Sequence, residues 1–136
     1  MFEPTSDENK WSNEIIGSAI HVHSVLGPGL LEKVYEECLS HVLFKKGFTI
    51  EKQKSLPVHF EDIYLDAGFK IDLLVNDAIV LELKTVERLV PVHEAQLQTY
   101  LKLSGKTLGL LINFNTYRLK DGGIKRIVMT KDSLRS

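Results

Sequence analysis

From Asn13 onward, apolar residues recur at helical spacing: Ile15, Ile16, Ala19, Ile20 and Leu26 share one stripe, with Ser12 or Asn13 placed to cap it. Gly27-Pro28-Gly29 must interrupt that helix. A second stripe follows through Leu30, Leu31, Val34, Tyr35, Cys38, Leu39, Val42 and Leu43, and Gly47 stands where such a helix would stop. The period then changes. Phe48 to Phe60 mixes β-branched, aromatic and charged residues and reads as a strand, with Pro57 near its end or on an edge. Glu61-Asp62 marks a turn, Ile63 to Val75 a long strand that can bend at Gly68, and Ala78 to Lys84 another. Pro91 suits a helix start and Gly105 a helix stop. Thr107 to Phe114 reads as a short buried strand and Ile124 to Met129 as a last one. The order is α-α-β-β-β-α-β-β, an α/β (α+β) domain with a mixed sheet flanked by helices. Residues 1–9 lack apolar periodicity and read as a flexible lead-in, 10–130 as a single domain, and 131–136 as a frayed tail.

The most informative stretch is Lys70 to Lys84. Ile71, Leu73, Val75, Ile79, Leu81 and Leu83 are apolar, while the alternate set is Lys70, Asp72, Leu74, Val80, Glu82 and Lys84. Side chains alternate faces along a strand, so one face of this hairpin is apolar and the other gathers charge at one end. A two-residue Asn76-Asp77 turn would set Asp72 opposite Leu81 and scramble the faces. An odd-numbered loop pairs Asp72 with Glu82 and Lys70 with Lys84, which keeps the apolar face intact; that register is expected. Two carboxylates directly opposite each other repel, with Cβ atoms about 5 Å apart. Lys84 on the same face answers part of that repulsion. A hard divalent cation answers more, since Mg²⁺ accepts carboxylate oxygens and keeps waters for a phosphate. The plainer alternative is a solvated face on which Lys70 and Lys84 neutralise the two acids.

Composition narrows the class. The chain has 136 residues, 43% hydrophobic and 26% charged, with 17 basic and 18 acidic side chains. That suits one domain with a real core and excludes a disordered chain, a coiled-coil rod and a globally basic nucleic-acid coat. A single cysteine, Cys38, excludes an intrachain disulfide and suits a reducing compartment. No apolar run approaches the ~18 residues of a membrane span, and the acidic N-terminus is unlike a secretory signal. A soluble cytoplasmic domain is expected. From Ser104 onward the balance turns basic: Lys106, Arg118, Lys120, Lys125, Arg126, Lys131 and Arg135 stand against Asp121 and Asp132. That excess suits a phosphate-tracking surface or, equally, the solvated side of an edge strand and a tail.

Two further groups of residues matter. Glu32 lies in the first turn of the second helix, where the dipole favours an anion. His93, Gln96 and Tyr100 fall at i, i+3 and i+7 on one face of the helix after Pro91. Gly29-x-x-Glu32-x-x-Tyr35, Asp72, Glu82-x-Lys84 and Gln96-x-x-x-Tyr100 occur in the order and elements of the GxxExxY protein family, which the chain resembles over roughly residues 13 to 129. That family is placed in the PD-(D/E)XK nuclease superfamily, near the RecB-type nuclease domains. Ile71 stands where the superfamily's name has a proline, which leaves the role of Asp72 intact.

The resemblance implies a restriction-endonuclease-like fold and hydrolysis of phosphodiester bonds in DNA or RNA with Mg²⁺ or Mn²⁺. By that resemblance Asp72, Glu82 and the Leu83 carbonyl hold the metal, and Glu32 is an additional ligand or outer-shell acceptor. Lys84 orients or helps deprotonate the attacking water. Gln96 and Tyr100 position the nucleic-acid backbone or brace the ligands; His93 is a further candidate contact because it shares the Gln96 face of its helix, not by the resemblance. The rival expectation is an inactive module of the same fold that binds nucleic acid or a protein partner, because net charge is −1 and no extended basic surface runs across the chain. A homodimer or partner would then complete the groove. His21 and His23, two apart on a helix, do not face each other and read as surface or packing residues. Cys38 reads as a small apolar core residue, and Trp11 and Phe2 as packing for the lead-in.

Overall fold

A computed structural model describes residues 3–129, leaving the expected 131–136 tail and Phe2 outside the described residues. The elements run α1 (Ser6–Leu26), α2 (Glu32–Lys45), β1 (Ile50–Phe60), β2 (Ile63–Val75), β3 (Ile79–Lys84), α3 (Pro91–Ser104), β4 (Leu108–Asn113) and β5 (Ile124–Val128). The five strands form one sheet in the order β1-β2-β3-β4-β5. All neighbours are antiparallel except β3 and β4, whose parallel pairing follows from the α3 crossover between them. This is the mixed sheet and element order expected from the periodicity.

The start of α1 differs from expectation. The helix begins at Ser6 rather than Asn13, so residues 6–9 belong to it and not to a lead-in. Thr5 explains this: its hydroxyl accepts the Glu8 N–H at 3.0 Å while the Glu8 carboxylate accepts the Thr5 N–H at 2.8 Å. That reciprocal cap starts a helix without any apolar periodicity. Ser12 is therefore not a cap but lies buried inside the helix. At the other end, Tyr35 stacks on Phe114 with ring centroids 4.5 Å apart. Its hydroxyl donates to the Gly27 carbonyl at 2.5 Å and accepts the Leu30 N–H at 3.2 Å. The Gly-Pro-Gly turn, and hence the point where α2 starts, is pinned to the core by this one side chain.

The sheet divides two cores. Ile15, Ala19, Tyr35, Leu39 and Leu43 from α1 and α2 pack with Leu73, Val75, Ile79, Leu81 and Leu83 on one face. On the other, Leu97 and Leu101 of α3 pack with Phe69, Ile71, Leu74, Val80 and Leu111. Ile71 is thus on the opposite face from Leu73, which corrects the expected unbroken stripe. The ladder explains the switch. Lys54 pairs with Ile71 and Lys52 with Leu73, while Gln53 and Asp72 between them are not paired, and Gln53 has a left-handed φ of 50°. The pairing is thus interrupted at Gln53 of β1 and Asp72 of β2, and it is across this interruption that the alternation of β2 breaks, so that Ile71 and Leu73, two apart, do not share a face. Farther out, the register shifts between Leu56 and Val58, around Pro57, which cannot donate to a ladder. A Cβ at Gly68 would meet Val58 Cγ2 at 2.2 Å, so close approach of the two strands requires glycine there.

Candidate active site

The hairpin register is the odd-loop one: Leu73 pairs with Leu81, Leu74 with Val80 and Val75 with Ile79. The next pair outward is Asp72 and Glu82, and there side chains replace the backbone ladder. Glu82 Oε1 accepts the Asp72 N–H at 3.2 Å, and Asp72 Oδ2 accepts the Leu83 N–H at 2.8 Å. The strands part at this point, so the expected Lys70–Lys84 pairing does not form; Lys70 pairs with Ser55 of β1 and is exposed. Each carboxylate is anchored by the other strand's backbone, which brings both acids to one place without a bridging lysine.

Burial dominates the electrostatics. Glu82 is 4% exposed, and desolvation, reinforced by the charge of Asp72, pushes its carboxyl up to about 8. Burial likewise raises Asp72, against the lowering effect of the hydrogen bonds from Leu83 and Gln53. Glu32 is raised too, by burial first and then by Asp72. Glu32 stands at the rim in the first turn of α2, close enough to interact electrostatically with Asp72, Lys84 and Glu82.

Lys84 makes no ion pair with these acids; its ammonium donates to Gln96 Oε1 at 2.9 Å. Gln96 Nε2 donates in turn to the Tyr100 hydroxyl at 3.1 Å, and the Tyr100 ring packs on Phe69 at 4.8 Å. The i, i+4 spacing of Gln96 and Tyr100 on α3 therefore serves to aim one lysine. His93 does not join the chain: its Nδ1 accepts the Val90 N–H at 3.0 Å and caps the helix. Asn113 holds the segment leading to α3, exchanging bonds with Val86 at 3.1 and 2.9 Å.

Two residues at the site escape a reading of the sequence alone. Glu36, one turn beyond Glu32, is buried and accepts from Gln53 Nε2 at 2.5 Å and from Lys33 at 3.2 Å. Gln53 also donates to Asp72 Oδ1 at 3.2 Å. A signal for Glu36 did exist, since two glutamates at i, i+4 repel on an ordinary helix face. Nothing local marks Gln53.

The basic excess after Ser104 is not a free stripe. Lys106 pairs with Asp77 at 3.2 Å and Lys125 with Glu94 at 2.7 Å, while Arg126 bonds Asn9. Lys131 and Arg135 lie outside the described residues. His23 is buried with its Nε2 2.7 Å from the Thr116 carbonyl oxygen, as a packing histidine.

The donor set fits a particular kind of cation. Among the described residues no three His, Cys, Asp or Glu side chains cluster as a ligand cage, which is the arrangement a structural zinc would need. Two adjacent carboxylates beside a lysine suit instead a hard ion such as Mg²⁺, which takes one or two carboxylates and keeps waters. Residues 9–127 match the family model of the PD-(D/E)XK nuclease superfamily. The chain belongs to that superfamily, and its mixed sheet with three helices is consistent with the restriction-endonuclease-like fold. No curated protein and no solved structure matches it significantly. Among the described residues no helix is long and apolar enough to cross a membrane.

Proposed function

We propose that this chain is a divalent-metal-dependent nuclease of the GxxExxY kind, hydrolysing phosphodiester bonds in DNA or RNA. The observation that carries the reading is the interlock of Asp72 and Glu82, beside a lysine aimed by Gln96, where β2 and β3 part. Asp72, Glu82 and the Leu83 carbonyl would hold Mg²⁺ or Mn²⁺, with Glu32 as a further or outer acceptor. The bound ion would acidify a water and polarise the phosphoryl oxygen, so no protein nucleophile is required. Lys84 contributes a fixed positive charge that orients the attacking water and offsets charge gathering on the phosphate. Gln96 and Tyr100 hold that charge in place and offer polar edges to the nucleic-acid backbone. His93 serves as a substrate contact only at the rim, since one ring nitrogen already caps α3.

The test is cleavage of single- and double-stranded DNA and RNA by the full chain with Mg²⁺ or Mn²⁺. Turnover should vanish with chelator and fall about 10³-fold in Glu82→Ala and in Lys84→Ala, a range ordinary for removing one charge-stabilising group. Cleavage that survives either substitution unchanged would overturn the mechanism.

One observation favours a second reading, a binding module that does not cleave. Lys106 and Lys125 are spent on ion pairs within the chain, so phosphate tracking would need a second copy or a protein partner. Salt-dependent binding of nucleic acid, without turnover and indifferent to chelator, would select it.

A further inference from the structure

We infer that Gln53 is a positioning residue for Asp72, holding the metal-site carboxylate from the neighbouring strand and tying it to Glu36 of α2. The inference rests on the reading of Asp72 as a ligand. Three observations converge on it. Gln53 stands directly across from Asp72 where neither residue takes part in the β1–β2 ladder. Its amide nitrogen donates both to Asp72 Oδ1, at 3.2 Å, and to Glu36 Oε1, at 2.5 Å. Its backbone has φ of 50°, a region glutamine rarely occupies.

The chemistry of the side chain explains the choice of residue. A primary amide carries two N–H bonds on one nitrogen, so it serves two carboxylates at once and adds no charge. An acid there would repel both partners, and an apolar residue would leave the Glu36 carboxylate buried with Lys33 as its remaining side-chain donor. Asp72 is then held on both oxygens: Oδ2 by the Leu83 N–H of β3 and Oδ1 by Gln53 of β1. Partners that orient a ligand in this way typically contribute 10- to 100-fold in metal affinity. The left-handed backbone turns the Gln53 side chain to the face where Asp72 and Glu36 meet.

A turn residue kept only for its backbone would look alike in the fold, and Gln53→Gly separates the two. Glycine takes φ of 50° without strain and deletes the amide; Gln53→Asn, which also tolerates that region, serves as the second variant because its amide is one methylene short. In the metal-free full chain, hydrogen exchange of the Leu83 amide should accelerate about 10-fold in both variants, with the Leu81 amide unchanged. Calorimetric titration with Mn²⁺ should show affinity about 10-fold weaker than wild type, with the melting temperature held within about 2 °C. Wild-type Leu83 exchange and wild-type affinity in Gln53→Gly would overturn the inference, as would a large melting loss with exchange unaltered. If the unaltered chain takes up no Mn²⁺, the nuclease reading falls, and the Leu83 amide still decides the part assigned to Gln53.

Discussion

The β2–β3 hairpin has a turn end and an open end, one residue pair apart, and the two are built on opposite principles. At the turn end Leu73, Leu74, Val75, Ile79, Val80 and Leu81 pair in strict register and are fully buried. At the open end Asp72 and Glu82 replace ladder bonds with carboxylate-to-amide bonds, and their carboxyls are raised by the same burial that stabilises their neighbours. Burying two like charges is unfavourable by several kcal/mol unless they are protonated or matched by a cation. The regular end supplies the rigidity that keeps the acids in place, and the chemistry is confined to the first pair beyond it.

Substitution at adjacent positions should break this contrast most sharply. Glu82→Gln is expected to lower cleavage about 10³-fold, equivalent to about 4 kcal/mol in the barrier, while leaving the metal-free fold as stable or more stable at pH 8. Leu81→Ala should do the reverse. Truncating a fully buried leucine costs about 3 kcal/mol and lowers the melting temperature by about 10 °C. Cleavage per folded molecule should stay within about 3-fold of wild type. Parallel melting curves and single-turnover rates decide it; a matching loss of both properties in both variants would erase the distinction between the two ends.

pH sharpens the comparison at a smaller scale. The Glu82 carboxyl sits at about 8 in the fold against 4.5 as the ordinary value, so between those limits the unfolded chain has lost a proton that the folded one keeps. The contribution of this group to the stability of the metal-free protein is therefore fully present below about pH 4.5 and is lost as pH rises toward 8, with a slope of at most about 1.4 kcal/mol per pH unit. Mg²⁺ must displace that proton, so its apparent affinity should climb over the same interval. Melting temperature against pH, with and without Mg²⁺, measures both trends. Glu82→Gln should flatten the metal-free curve.

Much of this was legible in the amino-acid sequence because it depends on short-range regularities. Alternation along residues 70–84 determines the hairpin register, since a slip would expose leucines; Pro91 and Gly105 bracket α3 by backbone chemistry alone. The Asp72, Glu82 and Lys84 grouping followed from the hairpin register, and Gln96 joined it through the family resemblance. What escaped depends on contacts distant in sequence or on unusual backbone. Gln53 reaches Asp72 across nineteen positions and occupies a φ region that its residue type does not advertise, and with it goes the face switch at Ile71. The basic C-terminal excess left two readings open, because the acids that match Lys106 and Lys125 come from β2's turn and from α3, far away in the sequence. The early start of α1 was written in Thr5-x-x-Glu8, a cap signal that hydrophobic periodicity cannot register.

The smallest expected effect tests whether support for Glu32 is shared with the core or separate from it. Tyr35→Phe keeps the stack on Phe114 but removes the hydroxyl that joins Gly27 and Leu30, leaving the Gly27 carbonyl without that donor. A lost pair of neutral hydrogen bonds at a buried tyrosine should cost about 1–2 kcal/mol. Because the ring still fills the core, the helix should remain, and its first turn, which carries Glu32, should loosen. Cleavage should then fall no more than about 3-fold, since the Leu83 and Asp72 N–H groups still anchor Asp72 and Glu82, and Gln53 ties Asp72 to α2 only at Glu36, beyond the first turn. A 10-fold or greater loss with the melting temperature barely moved would mean that Glu32 is needed in its place as strictly as the two strand acids, and that the site spans helix and hairpin equally.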